Sequence, residues 1–313
     1  MSFLHRLLRD RGAKATRIPW LSLHAGESAL LGAVAKPGTA ARPCVQLMPP
    51  APVPADSASL RAWRESCRQR VRATVVLRSS EYRVLPIEPP PLSPAELREA
   101  ARWQVADALD FPVEDAAIDV LAVPAHAGSS RNQRFVVATP NQQVLGWLGK
   151  CKEALLPLGA VDIPEMAMRN LSVQVAGDAP HAFLYIGFHS TRLALIWKRE
   201  LCSFRQLDLP AHRFVDGDAD DRDAVLERLA LEIQRTADSF SRQFAGLDLE
   251  VMWLASVKDP QGLADRLSLQ VPQRVQVFDV AEHVQVEGGT VVDATCGRDY
   301  LLAIGAALRQ EAP

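Results

Sequence analysis

Residues 21–34 read LSLHAGESALLGAV, and residues 184–197 read LYIGFHSTRLALIW. Set side by side without gaps, Leu21, Leu23 and Leu30 meet Leu184, Ile186 and Leu193, and Ser28 meets Thr191. Each stretch has the form of a strand, a polar turn and a returning strand, with apolar residues alternating at the period of two expected of strands. Each is followed by a further turn and a third strand: Lys36-Pro37-Gly38 leads to 43–47, and Lys198-Arg199-Glu200 leads to 201–207. A supersecondary unit that recurs within one chain predicts a duplicated architecture. Periodicity alone leaves a second reading open, two unrelated hairpins.

Working outward, residues 74–78, 83–87, 134–139, 182–187, 192–197, 250–255 and 274–278 also have strand character. Two helices stand between them. Ser93-Pro94-Ala95-Glu96 supplies a cap, a proline suited to the first helical position and a capping box, and predicts a helix over 93–110 that Phe111-Pro112 ends. Leu226, Leu229, Ala230, Ile233, Ala237, Phe240 and Phe244 form one apolar stripe and predict a second helix over 223–245, closed by Gly246. The alternation of the two element types predicts an α/β chain. Proline clusters at 49–54 and 86–91 read as extended connections, the first dividing residues 1–48 from the rest.

Composition sets the outer limits. The chain has 313 residues, 48% of them hydrophobic and 23% charged, with a formal net charge of -2. That is enough apolar material for a core, as one large domain or two ordinary ones. The charge balance excludes a dedicated nucleic-acid binder, which carries a basic excess. No run approaches the length of a membrane span. The five cysteines are scattered without a C-x-x-C, which supports neither a disulfide frame nor a zinc site and fits reducing cytoplasm. Residues 1–17 form a basic leader without the pattern of a secretory signal. Phe3, Leu4, Leu7 and Leu8 alternate there with Arg6, Arg9, Arg11 and Lys14, which suits either an anionic membrane surface or a frayed end.

Four further stretches carry a family resemblance. The segment 94–112, PAELREAARWQVADALDFP, looks like the helix of the small inserted subdomain in PilM-type proteins. Residues 161–171, VDIPEMAMRNL, are similar to the segment before the second half in PilM and MshI proteins. Glu232-Ile233-Gln234-Arg235-Thr236 resembles their Glu-Ile-x-Arg-Ser helix, and 302–309, LAIGAALR, resembles their C-terminal helix. With the two opening meanders, the resemblance runs from about residue 18 to 310, and the leader is closer to MshI. It implies an actin-like ATPase (duplicated ribonuclease H-like) fold, with a first half over 18–175 holding a small inserted subdomain at about 60–150, and a second half over 176–313. It also implies a cytoplasmic protein of type IV (MSHA-type) pilus biogenesis at the inner face of the inner membrane. Its partners would be the cytoplasmic tail of a PilN-like inner-membrane protein and other pilus assembly proteins, and membrane attachment would come through them.

In that family a nucleotide lies between the halves, against an aspartate-bearing turn from each. Aligned here, the turns fall on Ser22-Leu23-His24 and Tyr185-Ile186-Gly187, so both aspartates are absent and one glycine is replaced. The family's Gly-Gly turn reads Trp253-Leu254-Ala255-Ser256. The resemblance leaves Gly26, Ser28, Gly187, Ser190, Glu232, Arg235 and Gly305 as a degenerate nucleotide set. The expectation is a scaffold without hydrolysis, no required cofactor, and doubtful ATP/Mg binding; the alternative is an active ATPase. No catalytic or metal-ligating residue is assigned. Trp103 and Phe111 are candidates for partner binding, although the favoured reading of Trp103 is a residue that widens the helix's core face. His24 and His189 sit in the two turns and read as turn residues rather than metal ligands. No P-loop, H-E-x-x-H or G-x-S-x-G motif occurs. The acidic run Asp216, Asp218, Asp220, Asp221, Asp223 reads as a helix N-terminus, not a calcium loop.

Overall fold

The computed structural model describes residues 18–36, 42–90, 92–126, 133–287 and 298–310. The leader 1–17 lies outside them. The chain opens with β1 (Trp20–Ala25), β2 (Leu30–Leu31), β3 (Ala33–Lys36) and β4 (Cys44–Leu47), an antiparallel meander. Helix α1 (Ser57–Ser66), capped by Asp56, then carries it to β5 (Arg72–Val76), parallel to β1. The proline segment does not separate the parts: Leu30 and Ala51 exchange backbone hydrogen bonds of 2.8 and 3.0 Å.

A small unit follows. Strand β6 (Arg83–Ile87), helix α2 (Pro94–Val105), β7 (Ala116–Ala122) and β8 (Arg134–Pro140) make a three-stranded antiparallel sheet in the order β6-β8-β7, with the helix on one face. The Ser93–Glu96 capping box is formed as expected. The insertion is narrower than 60–150, because α1, β5 and the next helix, α3 (Asn141–Glu153), belong to the first sheet's layer. Strand β9 (Leu158–Asp162) closes that sheet, parallel to β5.

Helix α4 (Pro164–Ala176) crosses to the second half. There β10 (His181–Ile186), β11 (Thr191–Trp197) and β12 (Glu200–Leu207) repeat the meander. After α5 (His212–Val215) and α6 (Ala219–Gln243), β13 (Val251–Ser256) runs parallel to β10. Helix α6 starts on Asp218 as cap, so the acidic run is a helix N-terminus. Helix α7 (Pro260–Leu267) leads to β14 (Arg274–Val277), parallel to β13. The two sheets therefore share one order: β4-β3-β1-β5-β9 and β12-β11-β10-β13-β14.

The last segment returns to the first half. After α8 (Val280–His283), β15 (Gln285–Glu287) pairs with β4, and α9 (Leu301–Ala307) packs on α4, β1, β3 and β5. A second half running to 313 thus gives up these elements to the first sheet. The hairpin registers also correct the ungapped alignment. His24 pairs with Leu31 and Ala25 with Leu30; Tyr185 pairs with Arg192 and Ile186 with Thr191. Gly26 N–H donates to the Ala29 carbonyl at 2.9 Å, and Gly187 N–H to the Ser190 carbonyl at 3.0 Å. Gly26 is therefore the counterpart of Gly187, and the alignment was two residues out of step.

Candidate functional site

The ends of the parallel strands β1, β5 and β10, with the turns that follow them, meet between the halves. They enclose a cleft of about 620 Å³. Its walls carry His24, Gly26 and Glu27 from the first turn, Gly187, His189 and Ser190 from the second, and Arg78, Ser79 and Ser80 after β5. Tyr185, Arg192 and Leu302 also line it.

With the register corrected, the turn reads His24-Ala25-Gly26 in one half and Tyr185-Ile186-Gly187 in the other. Both glycines are present, contrary to the first alignment. His24 and Tyr185 hold the two positions where the resemblance implies aspartates. Gly187 cannot take a side chain easily, since a β-carbon would lie 2.8 Å from the Tyr185 ring. His24 Nδ1 and Ser190 Oγ are buried without hydrogen-bond partners among the described residues. Burial, then the positive charges of Arg192 and Arg78, then His189, push His24 down to about 3, so its ring is neutral at physiological pH.

Arg192 is the residue sequence reasoning missed. It is 6% exposed and lies in β11, a strand buried along its whole length. Its Nε is 3.4 Å from Oε1 of Glu165, which is 1% exposed on α4. Tyr82 O–H donates to Glu165 Oε2 at 2.7 Å, and an Arg192 Nη2–H donates to the Ser79 hydroxyl. A cation of the second half is thus bound to groups following β5 and to the helix that joins the halves. One charged residue inside the otherwise uncharged strand Thr-Arg-Leu-Ala-Leu-Ile-Trp was the available signal.

The other expected residues divide. Gly26, Gly187 and Ser190 line the cleft; Ser28 is at the exposed tip of its turn and does not. Glu232 and Arg235 lie on α6, joined to each other at 2.8 Å, and are not among the lining residues. Gly305 sits at the α4–α9 crossing, where a β-carbon would fall 2.2 Å from the Ala167 carbonyl oxygen. Asn170 Nδ2 donates to the Gly305 carbonyl at 2.9 Å, so this glycine's contacts are those of helix packing. Trp253-Leu254-Ala255-Ser256 is strand, not turn; the chain turns at 257–259, where Asp259 adopts φ 38° and caps α7. Trp103 is 65% exposed, which rules out the core-face reading, whereas Phe111 is half-buried against the inserted unit's core. Among the described residues no group of three or more His, Cys, Asp or Glu is placed to hold a metal ion, and no helix is long and apolar enough to cross a membrane.

Two sheets of identical strand order, joined by a crossing helix around one cleft, define the actin-like ATPase fold. The chain is similar over 93% of its length to 98% of a chain in the PilM-PilN type IV pilus biogenesis complex, with 23% identity and a TM-score of 0.70. More distant likenesses include the cytoplasmic domain of EpsL, an inner-membrane component of the type II secretion system of Vibrio cholerae (14% identity, 90% and 94% covered, TM-score 0.48). Another is a Bacteroides thetaiotaomicron protein of actin-like ATPase fold (10% identity, 85% and 93% covered, TM-score 0.49). No family model matches the chain. No curated protein matches it either.

Proposed function

We propose that this protein is a cytoplasmic, PilM-like scaffold of type IV pilus biogenesis that works without hydrolysing nucleotide. The reading rests on the 0.70 TM-score to a chain of the PilM-PilN complex together with the replacement of both turn carboxylates by His24 and Tyr185. Its partner is the cytoplasmic tail of a PilN-like inner-membrane protein, held where the inserted unit meets the first half; exposed Trp103 on α2 is the candidate aromatic anchor. Other pilus assembly proteins join through that partner, and an MSHA-type machine is the finer assignment.

The cleft chemistry supports this reading. Mg²⁺ with its phosphates requires hard oxygen ligands or the waters they order. An imidazole depressed to about 3 and a buried phenol offer neither at the two turn positions. The Arg192–Glu165 pair already links the second half to α4 across the region where a nucleotide would otherwise join the halves. Calorimetric titration with ATP and Mg²⁺ is expected to give no micromolar binding, and an assay of phosphate release no turnover. Micromolar binding accompanied by turnover would establish an active ATPase instead.

A further inference from the structure

We propose that the segment of the partner's tail that docks on α2 is basic, a stretch whose lysine or arginine cation lies over Trp103 and between the carboxylates on the same helix face. This rests on the scaffold reading and names the chemistry of its partner. The starting observation is Trp103, an indole left 65% exposed within a regular helix. The inserted unit's core has no use for it. Ala101 and Val105 are buried in that core, and Trp103, two residues from each, stands across the helix from them.

Helical spacing decides what shares its face. Glu99 precedes Trp103 by four residues and Glu96 by seven, which sets both on the same side of α2. Asp107 follows by four, in the short 3-10 turn Ala106–Ala108 that continues the helix. All three acids are exposed. None forms an ion pair among the described residues. Glu96 accepts the Ser93 N–H at 3.0 Å in the capping box, a contact that leaves its charge in place. The two arginines of the helix are directed elsewhere. Arg102 donates to the Val113 carbonyl and, at 3.3 Å, to the Ala116 carbonyl. Arg98 stands three residues before Ala101 and seven before Val105, so it is half-buried on the side away from Trp103. Residues 88–115 hold seven acidic residues against two basic ones, in a chain whose net charge is only -2.

These features select the occupant. The face of an indole attracts a cation, and tryptophan does so most strongly among the aromatic side chains. Carboxylates on the same helix face add attraction of the same sign and steer the approach. An acidic segment is repelled there. A purely apolar one would cover carboxylates without pairing them, which is costly. A basic segment satisfies the ring and the acids together. Cytoplasmic segments beside a membrane span carry an excess of lysine and arginine, so the partner named by the scaffold reading is of a kind that supplies this charge.

The test is fluorescence anisotropy of a labelled N-terminal cytoplasmic peptide of a PilN-like protein, titrated with the full chain. The peptide is used in its natural sequence and with every lysine and arginine replaced by glutamine. The natural peptide is expected to bind about tenfold more tightly than the neutral one, and to weaken as salt rises. Trp103→Ala should weaken it about tenfold, and Glu99→Gln about two- to fivefold, with Glu99→Gln and Asp107→Asn together costing more. All of these side chains are exposed, so Tm should stay where it is. Equal binding of the natural and neutral peptides, or unchanged binding by all the variants, would overturn the basic segment and leave the scaffold reading standing. Failure of the natural peptide to bind the unaltered protein would overturn both.

Discussion

At the scale of the residue, Arg192 and Glu165 form the most deeply buried ion pair among the described residues. Both side chains are nearly inaccessible, with Glu165 also receiving the Tyr82 hydroxyl. Removing one member strands a buried charge, which costs about 3–5 kcal/mol, whereas replacing both with apolar groups of similar volume can be neutral. Arg192→Met is therefore expected to lower unfolding stability by about that amount, and Arg192→Met with Glu165→Met to recover most of it; chemical denaturation measures both. His24 gives a pH signature. Its pKa is depressed on folding to about 3, so its contribution is present above the unfolded value near 6.5 and is lost as pH falls toward 3. His181 and His283, also lowered by burial, add to the same acid sensitivity. His24→Gln should flatten the fall in Tm between about pH 6.5 and 4, with the other two histidines leaving a residual slope. An unchanged slope would show that His24 is not held neutral in the fold.

Among the elements, the α4–α9 crossing sets how closely the C-terminal helix can approach. Gly305 lets it lie against the Ala167 carbonyl, and Asn170 fixes the register. Gly305→Ala must separate the two helices, at a cost of about 1–3 kcal/mol despite alanine's better helix propensity; a raised Tm would contradict the close-packing role. Most of the elements were legible from the chain. Strand β6 occupies the expected 83–87, and the helix expected over 93–110 starts on its predicted capping box but ends at Val105, tightening into a short 3-10 turn over Ala106–Ala108 before Phe111-Pro112 is reached. The hairpin alignment failed for a definite reason: a shift of two residues preserves which side chains face inward, so alternating hydrophobicity cannot detect it. The hairpin pairings and the turn hydrogen bonds at Gly26 and Gly187 fix the true register. Helix α3 was missed because Leu145 and Leu148 are exposed, which blurs its apolar stripe, and α1 because only Leu60 and Trp63 are buried along it. Glu165 lay within a quoted motif, yet its pairing with Arg192 joins elements far apart in sequence and is visible only once the halves are assembled.

For the whole molecule, the duplicated sheets, the cleft between them and the narrow insertion form a body whose halves are already tied together by its own side chains. The C-terminal segment reinforces this, since β15 extends the first sheet and Tyr300 O–H donates to the Met48 carbonyl at 2.7 Å. On the proposed scaffold reading, halves tied together in this way need no nucleotide to hold them, and the partner surface is available at all times. The direct measurement is the affinity of the purified, nucleotide-free protein for the N-terminal cytoplasmic peptide of a PilN-like protein, taken with and without ATP and Mg²⁺. Saturable binding with the same Kd in both conditions is the predicted result. Absence of binding, or binding that appears only when ATP and Mg²⁺ are added, would contradict a scaffold that works without nucleotide.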